Sequence, residues 1–252
     1  MQLEPTAAAA GVRLIAHETI GSTNAEALAL ARSGDRGPVW VTAQSQTAGR
    51  GRRGRTWVSE PGNLYASLLL TDPSPPQRAA ELSFVAALAV HDAISGRVPG
   101  VAARLALKWP NDLLIDRCKF AGILIEGEGT VVVIGIGVNC AHHPADTSYP
   151  ATDLASAGIR AAPEPLFAAL SAAMLVRLAQ WNRGEGFAAI RTDWLDRAAG
   201  VGKAIRVALP DGERDGRFET VDEQGRLVLR LADGHNETIT AGEVMSPMPA
   251  RH

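Results

Sequence analysis

Seven consecutive residues, Gly49-Arg50-Gly51-Arg52-Arg53-Gly54-Arg55, place four guanidinium groups on a segment that also holds three glycines. Glycine lets a backbone turn tightly and approach a ligand closely. Arginines crowded together repel one another unless an anion sits between them. The chemistry that suits such a loop is closure over a negatively charged small molecule. Three further segments carry reactive or ligand-binding types. Lys108-Trp109-Pro110-Asn111-Asp112 delivers an amine at the end of a strand that the proline terminates, and lysine is a compact cation suited to bridging a carboxylate and a phosphate. The plain alternative is a surface lysine beside a core Trp109. Gly135-Ile136-Gly137-Val138-Asn139 puts two glycines on one face of a strand and an amide directly after it. That either bares the face for a ligand or marks a bulge. Ser22-Thr23-Asn24 is explained as a helix cap, yet capping hydroxyls can still present a polar edge to a neighbouring pocket.

The bare pattern Gly49-x-Gly51-x-x-Gly54 matches a dinucleotide-binding fingerprint, but that fingerprint needs a helix opening at its end. Arg55 to Asn63 is no helix start, and Asp72 lies in a proline-rich turn. A phosphate loop of the Gly-Lys-Ser/Thr kind is absent, as is a Gly-x-Ser-x-Gly elbow. His17, His91, His142 and His143 lack metal-ligand spacing, and Cys118 and Cys140 read as reduced thiols in or beside apolar runs. With a net charge of −2, cationic density is local to the loop, so nucleic acid is its weaker reading. No apolar run approaches the ~18 residues of a membrane span, and Met1 to Ala10 lacks a secretion signal. A cytoplasmic protein is expected.

The elements that must position these groups follow from pattern. The first dozen residues read as a loose tail, with order beginning at Leu14. Thr23 and Glu26 have capping-box spacing ahead of a helix over Ala25 to Arg32. Val39 to Ala43 and Leu64 to Leu70 read as strands entering and leaving the arginine loop. An alanine-rich helix over about Arg78 to Ser95 follows a proline cluster. Strands are then expected over Leu105 to Trp109, Phe120 to Glu126 and Thr130 to Val138. Two helices come next, the first with Leu166, Leu170, Met174, Leu178 and Trp181 on one core-facing stripe. From about Gly200, short β-rich runs split by Pro210-Asp211-Gly212, Asp222 to Gly225 and Ala232-Asp233-Gly234 predict a small β-barrel.

Taken in order, five segments resemble the bacterial biotin protein ligases: Gly21-Ser22-Thr23-Asn24, Gln46 to Trp57, Lys108 to Asp112, Lys119 to Glu126 and Gly135 to Asn139. The resemblance implies an α+β chain. Residues 13–198 would form a catalytic domain like class II aminoacyl-tRNA synthetases, with a mixed or antiparallel sheet and helices. Residues 199–252 would form a C-terminal SH3-like barrel. It implies a two-step reaction, in which biotin and MgATP give biotinyl-5′-AMP, and a lysine of a biotin carboxyl carrier protein domain, as in acetyl-CoA carboxylase, then takes the biotinyl group. By resemblance Lys108 and Arg52 are catalytic. Ser22, Thr23, Asn24, Gln46, Arg50, Gly51, Arg52, Lys108, Gly135 and Gly137 would bind biotin, and Arg52, Arg55, Trp57, Lys108 and Asn139 the nucleotide. No protein metal site is implied, Mg2+ arriving on the ATP phosphates. About a dozen residues precede the match, so a form without the DNA-binding domain of some relatives is expected, with no DNA partner and no repressor role, as monomer or homodimer. A lipoate or octanoate ligase or transferase of the same superfamily is the nearest alternative. A non-enzymatic polyanion-binding module is the alternative from another class.

Overall fold

Aliphatic and β-branched runs build the central layer of the molecule. The computed structural model describes residues 1–145, 147 and 149–245; the expected second domain therefore extends, over 246–252, outside the described residues. Seven strands form one sheet: β1 (Arg13–Ile20), β2 (Val39–Gln46), β3 (Leu64–Thr71), β4 (Leu105–Lys108), β5 (Asp112–Ile115), β6 (Cys118–Glu128) and β7 (Val131–Val138). Their spatial order is β1-β2-β3-β7-β6-β5-β4. β1 and β2 run parallel, and every other neighbouring pair is antiparallel. β7 sits in the middle and is apolar nearly throughout because it is covered on both sides.

On one face lies α2 (Thr23–Arg32), whose Ala27 packs with Val39, Val41, Leu69 and Val133. The other face carries α3 (Leu82–Ser95), α4 (Pro163–Trp181) and α5 (Phe187–Leu195). Leu166, Leu170, Met174 and Trp181 of α4 are buried there as the helical spacing requires, with Leu178 at the margin. The expected Arg78–Ser95 helix divides into a 3-10 stretch over Pro76–Glu81 and α3 proper. The N-terminal residues are not a loose tail. They form α1 (Pro5–Ala9), which buries Ala7 completely and is tied to α4 by the Glu4 amide donating to Ser171 Oγ at 3.0 Å. β5 was not anticipated from the sequence.

A second, wholly antiparallel sheet follows: β8 (Ala204–Leu209), β9 (Gly212–Val221), β10 (Leu227–Arg230), β11 (Asn236–Ile239) and β12 (Glu243–Met245), in the order β11-β10-β9-β8-β12. Its first three turns fall at the expected Asp- and Gly-containing signals, and Asp222 caps one of them by accepting from the amides of Gln224 and Arg226. That turn docks into the larger body. Gly225 nestles against Phe84 and Phe187, and its carbonyl accepts from Trp109 Nε1 at 3.0 Å. Phe218, Val221, Leu227 and Leu229 thereby join one continuous core with Phe84, Trp109 and Trp194.

Candidate active site

β2 leads straight into the arginine segment, which closes as a miniature hairpin. Arg50 bridges Thr56, the Gly51 amide donates to Arg55 O at 2.7 Å, and Arg52–Gly54 make a 3-10 turn. The reversal needs positive φ at Arg53 (56°) and Gly54 (73°). Gly49 is compelled by space, since a Cβ there would lie 2.4 Å from Trp57 O. No helix of dinucleotide-binding type opens here; β3 comes next.

Three of the four cations of this loop are drawn toward protein partners. Arg50 Nη2 donates to Glu126 Oε2 at 3.1 Å, and Arg52 Nη1 to Asn111 Oδ1 at 3.1 Å. Arg55 grips Glu243 of β12 with both terminal nitrogens, the fork geometry that favours arginine over lysine. Burial, then the neighbouring Arg53 charge, depresses the Arg52 pKa, while the Arg55 hydrogen bond holds Glu243 below the usual carboxylate range.

Beneath the loop, the β4–β5 hairpin sets Lys108 directly opposite Asp112. Lys108 Nζ stands 3.8 Å from Asp112 Oδ2, and Lys119 Nζ of β6 stands 2.6 Å from Oδ1 of the same carboxylate. All three side chains are mostly covered, Lys108 being 15% exposed. Burial pushes the Lys108 ammonium to a lower pKa, with Asp112 pulling the other way. The plain reading of this segment is half right: Trp109 is indeed core, but Lys108 faces a cavity. Lys119 also lies 5.5 Å from the Trp57 ring and 5.0 Å from that of Tyr149.

Uncharged polar side chains of α2, β2 and β3 form a second part of the site. Gln46 Oε1 accepts from the Thr23 amide at 2.9 Å and from its hydroxyl at 3.1 Å, and Gln46 Nε2 donates to Ser59. Ser67 Oγ lies 2.8 Å from Thr23 Oγ1 and 2.6 Å from Asn24 Oδ1, and Asn24 Nδ2 donates to Glu126 at 2.7 Å. Ser22, not Thr23, is the N-cap, because the Thr23 hydroxyl is turned to Gln46. β7 keeps an unbroken register through Gly135 and Gly137, which removes the bulge reading. Their missing side chains instead admit others: a Cβ on Gly135 would fall 2.2 Å from Asn24 Oδ1, and one on Gly137 2.6 Å from the Trp57 ring.

Ser22, Thr23, Asn24, Gln46, Arg50, Gly51, Arg52, Arg55, Trp57, Lys108, Gly135 and Gly137 all line one cavity, with six basic side chains and two carboxylates on its wall. Asn139 does not. It lies beyond the Trp57 ring in a second cavity with Pro144, Thr147, Tyr149 and Ala151, and Trp57, Lys119 and Tyr149 belong to both. Sequence reasoning did not single out Asp112, Lys119, Glu126, Tyr149, Gly242 and Glu243 as site residues. Lys119 stood inside a recognised motif, but only strand register brings it to Asp112.

Residues 18–139 match the Biotin/lipoate A/B protein ligase family and residues 200–245 the Biotin protein ligase C terminal domain. The biotin–[acetyl-CoA-carboxylase] ligase of Paracoccus denitrificans is 44% identical over 234 residues, spanning 88% of this chain and 96% of its own. The chain belongs to the biotin protein ligase family. The corresponding ligase of Mycobacterium tuberculosis is 36% identical over 233 residues, 89% of this chain and 85% of the relative. Among solved structures, the Aquifex aeolicus biotin protein ligase in complex with biotin and ATP superposes with a TM-score of 0.79 at 25% identity, covering 92% of this chain and 97% of that one. As a biotin protein ligase, this chain gathers uncharged hydrogen-bonding groups, a glycine-bearing strand that makes room for Asn24 and Trp57, and a set of cations within one cavity, surfaces that suit a polar ring, an aliphatic tail and a carboxylate.

Proposed function

We propose that the chain activates biotin with MgATP to biotinyl-5′-AMP and pyrophosphate, then passes the biotinyl group to a lysine of a biotin carboxyl carrier protein domain such as that of acetyl-CoA carboxylase. In the first step a biotin carboxylate oxygen attacks the α-phosphorus and pyrophosphate leaves. In the second, the acceptor amine attacks the acyl carbon, AMP leaves and the amine loses a proton. Both reacting groups in the first step are anions, so the chief requirement is fixed positive charge at the meeting point.

The observation that carries this reading is the pairing of Lys108 and Lys119 across Asp112 in the cavity that the glycine-bearing strand also lines. One carboxylate holds two ammonium groups in place without cancelling both. Arg50, Arg52 and Arg55 are held by Glu126, Asn111 and Glu243, which keeps the loop folded until phosphate competes for the guanidiniums. Ser22, Thr23 and Gln46 suit the ureido ring, and Asn24 supports them through Ser67 and Glu126. Trp57 suits one face of the adenine, whose other surroundings would come from the second cavity with Asn139. Mg2+ enters as part of the MgATP substrate.

We assign the catalytic role to residues 13–198, in an arrangement like class II aminoacyl-tRNA synthetases, and an SH3-like barrel to residues 199–252. Exchange of labelled pyrophosphate into ATP tests the activation step. Biotin should trigger it; exchange with lipoate or octanoate but not biotin would transfer the chain to the other branch of its superfamily.

A further inference from the structure

β7 ends at Val138, and the chain must reverse there to bring Pro144, Thr147, Tyr149 and Ala151 to the second cavity. At the reversal three successive backbone amides have no strand partner, the first of them, at Cys140, buried, and amides shielded from water need an acceptor. A single side-chain oxygen takes all three: Asn63 Oδ1 accepts from Cys140 at 2.8 Å, Ala141 at 2.9 Å and His142 at 3.2 Å. Asn63 Nδ2 closes the ring by donating to His142 O at 2.9 Å. The side chain is 3% exposed, and it touches neither cavity.

The preceding Gly62 presses on the same turn. It sits at φ 104°, and a Cβ there would come within 3.3 Å of both Ala141 Cβ and the His142 ring. On the near side of the turn stands Asn139, whose side-chain Nδ2 donates to Thr152 O at 3.0 Å. On the far side, Lys119 exchanges backbone hydrogen bonds with the returning segment, to Pro150 O at 2.8 Å and from the Thr152 amide at 2.9 Å. The second cavity is therefore framed by a turn whose shape depends on one buried asparagine.

We propose that Asn63 is a positioning residue for nucleotide binding: by collecting the three amides of 140–142 it fixes the spacing between Asn139 and the wall that carries Tyr149, without touching the biotin end of the site. This rests on the reading of the second cavity as the nucleotide end. A structural role alone would lower stability or activity without preference between substrates. A role in shaping that cavity separates them.

The test is steady-state pyrophosphate exchange with each substrate varied in turn. Asn63→Ala removes all four side-chain hydrogen bonds from the frame and is expected to raise KM for ATP roughly tenfold. KM for biotin should move by less than about twofold, on the same scale. Asn63→Asp keeps the acceptor oxygen and should recover part of the ATP affinity. Because Asn63→Ala risks misfolding, Gly62→Ala provides a second arm: it crowds the same turn without stranding a polar group, and should show the same ATP-selective rise. An equal rise for both substrates, or folded variants with unchanged KM for ATP, would overturn the assignment. Wild-type protein that shows no biotin-dependent exchange would instead overturn the functional reading beneath it.

Discussion

Lys108 is costly to keep as a charge. It is largely buried, its pKa is pressed down by that burial, and Lys119 is a like-charged neighbour on the same carboxylate. Fold stability does not call for it, so Lys108→Met should leave thermal unfolding at neutral pH unchanged or slightly higher, while activation of biotin falls by about a hundredfold or more. The sign follows from linkage. A lysine whose pKa is lowered on folding destabilises the fold while protonated, and the cost fades as pH rises from the folded value toward the ordinary one. A large loss of stability alongside the loss of activity would remove Lys108 from the electrostatic role. Arg52 belongs to the same scale. Arg52→Gly deletes the contact to Asn111 and opens the loop, so a reactive mixed anhydride would escape and label bystander lysines. Mass spectrometry of added albumin should find biotinylated lysines with the variant and few with the parent. At this scale the sequence was highly legible: every residue that the resemblance implied for the site, except Asn139, lines one cavity. What spacing did not reveal were partners. Asp112, Glu126 and Glu243 neutralise the cations from other strands, and cross-strand register cannot be read along a chain.

Among the elements, β12 reaches from the small sheet into the site. This three-residue strand, Glu243–Met245, lays the Glu243 carboxylate against Arg55, and Gly242 just ahead of it places its carbonyl near Arg52. The small sheet thus contributes to the wall of the cavity as well as to its own fold. Glu243→Gln should weaken the fork on Arg55 and expose the loop to trypsin at Arg53 and Arg55, with only a small change in unfolding temperature, since partly exposed ion pairs contribute about 0–1 kcal/mol. Cleavage at the parent rate would show that the loop is held from elsewhere. β12 and β5 were missed in the sequence for one reason: runs of three and four residues carry too little alternation to signal a strand. α1 was taken for tail because five residues starting at a proline have little intrinsic helicity; packing on α4 supplies what propensity lacks. β2, β3, β6 and β7, by contrast, announced themselves as apolar runs, and α4 through its helical stripe, whereas β1 was read only as the start of order.

At the level of the whole molecule the two sheets share one core. Trp109, adjacent to Lys108, donates its indole hydrogen to Gly225 of the small sheet, and Phe84 and Phe187 close over that turn. A change of texture near Gly200 suggested separate bodies, but composition cannot reveal an interface. Calorimetry should therefore show one cooperative unfolding transition; two well-separated transitions would mean that the sheets fold independently. The shared core also explains how β12 can hold a loop anchored on β2 in register with lysines from β4 and β6. The central claim is that this assembled cavity makes biotinyl-5′-AMP and delivers it to protein. The most direct measurement is transfer of labelled biotin to a purified biotin carboxyl carrier domain in the presence of MgATP. The account predicts label on one lysine of the carrier, dependent on ATP and abolished by Lys108→Ala. A carrier left unlabelled by folded wild-type protein supplied with both substrates would contradict it.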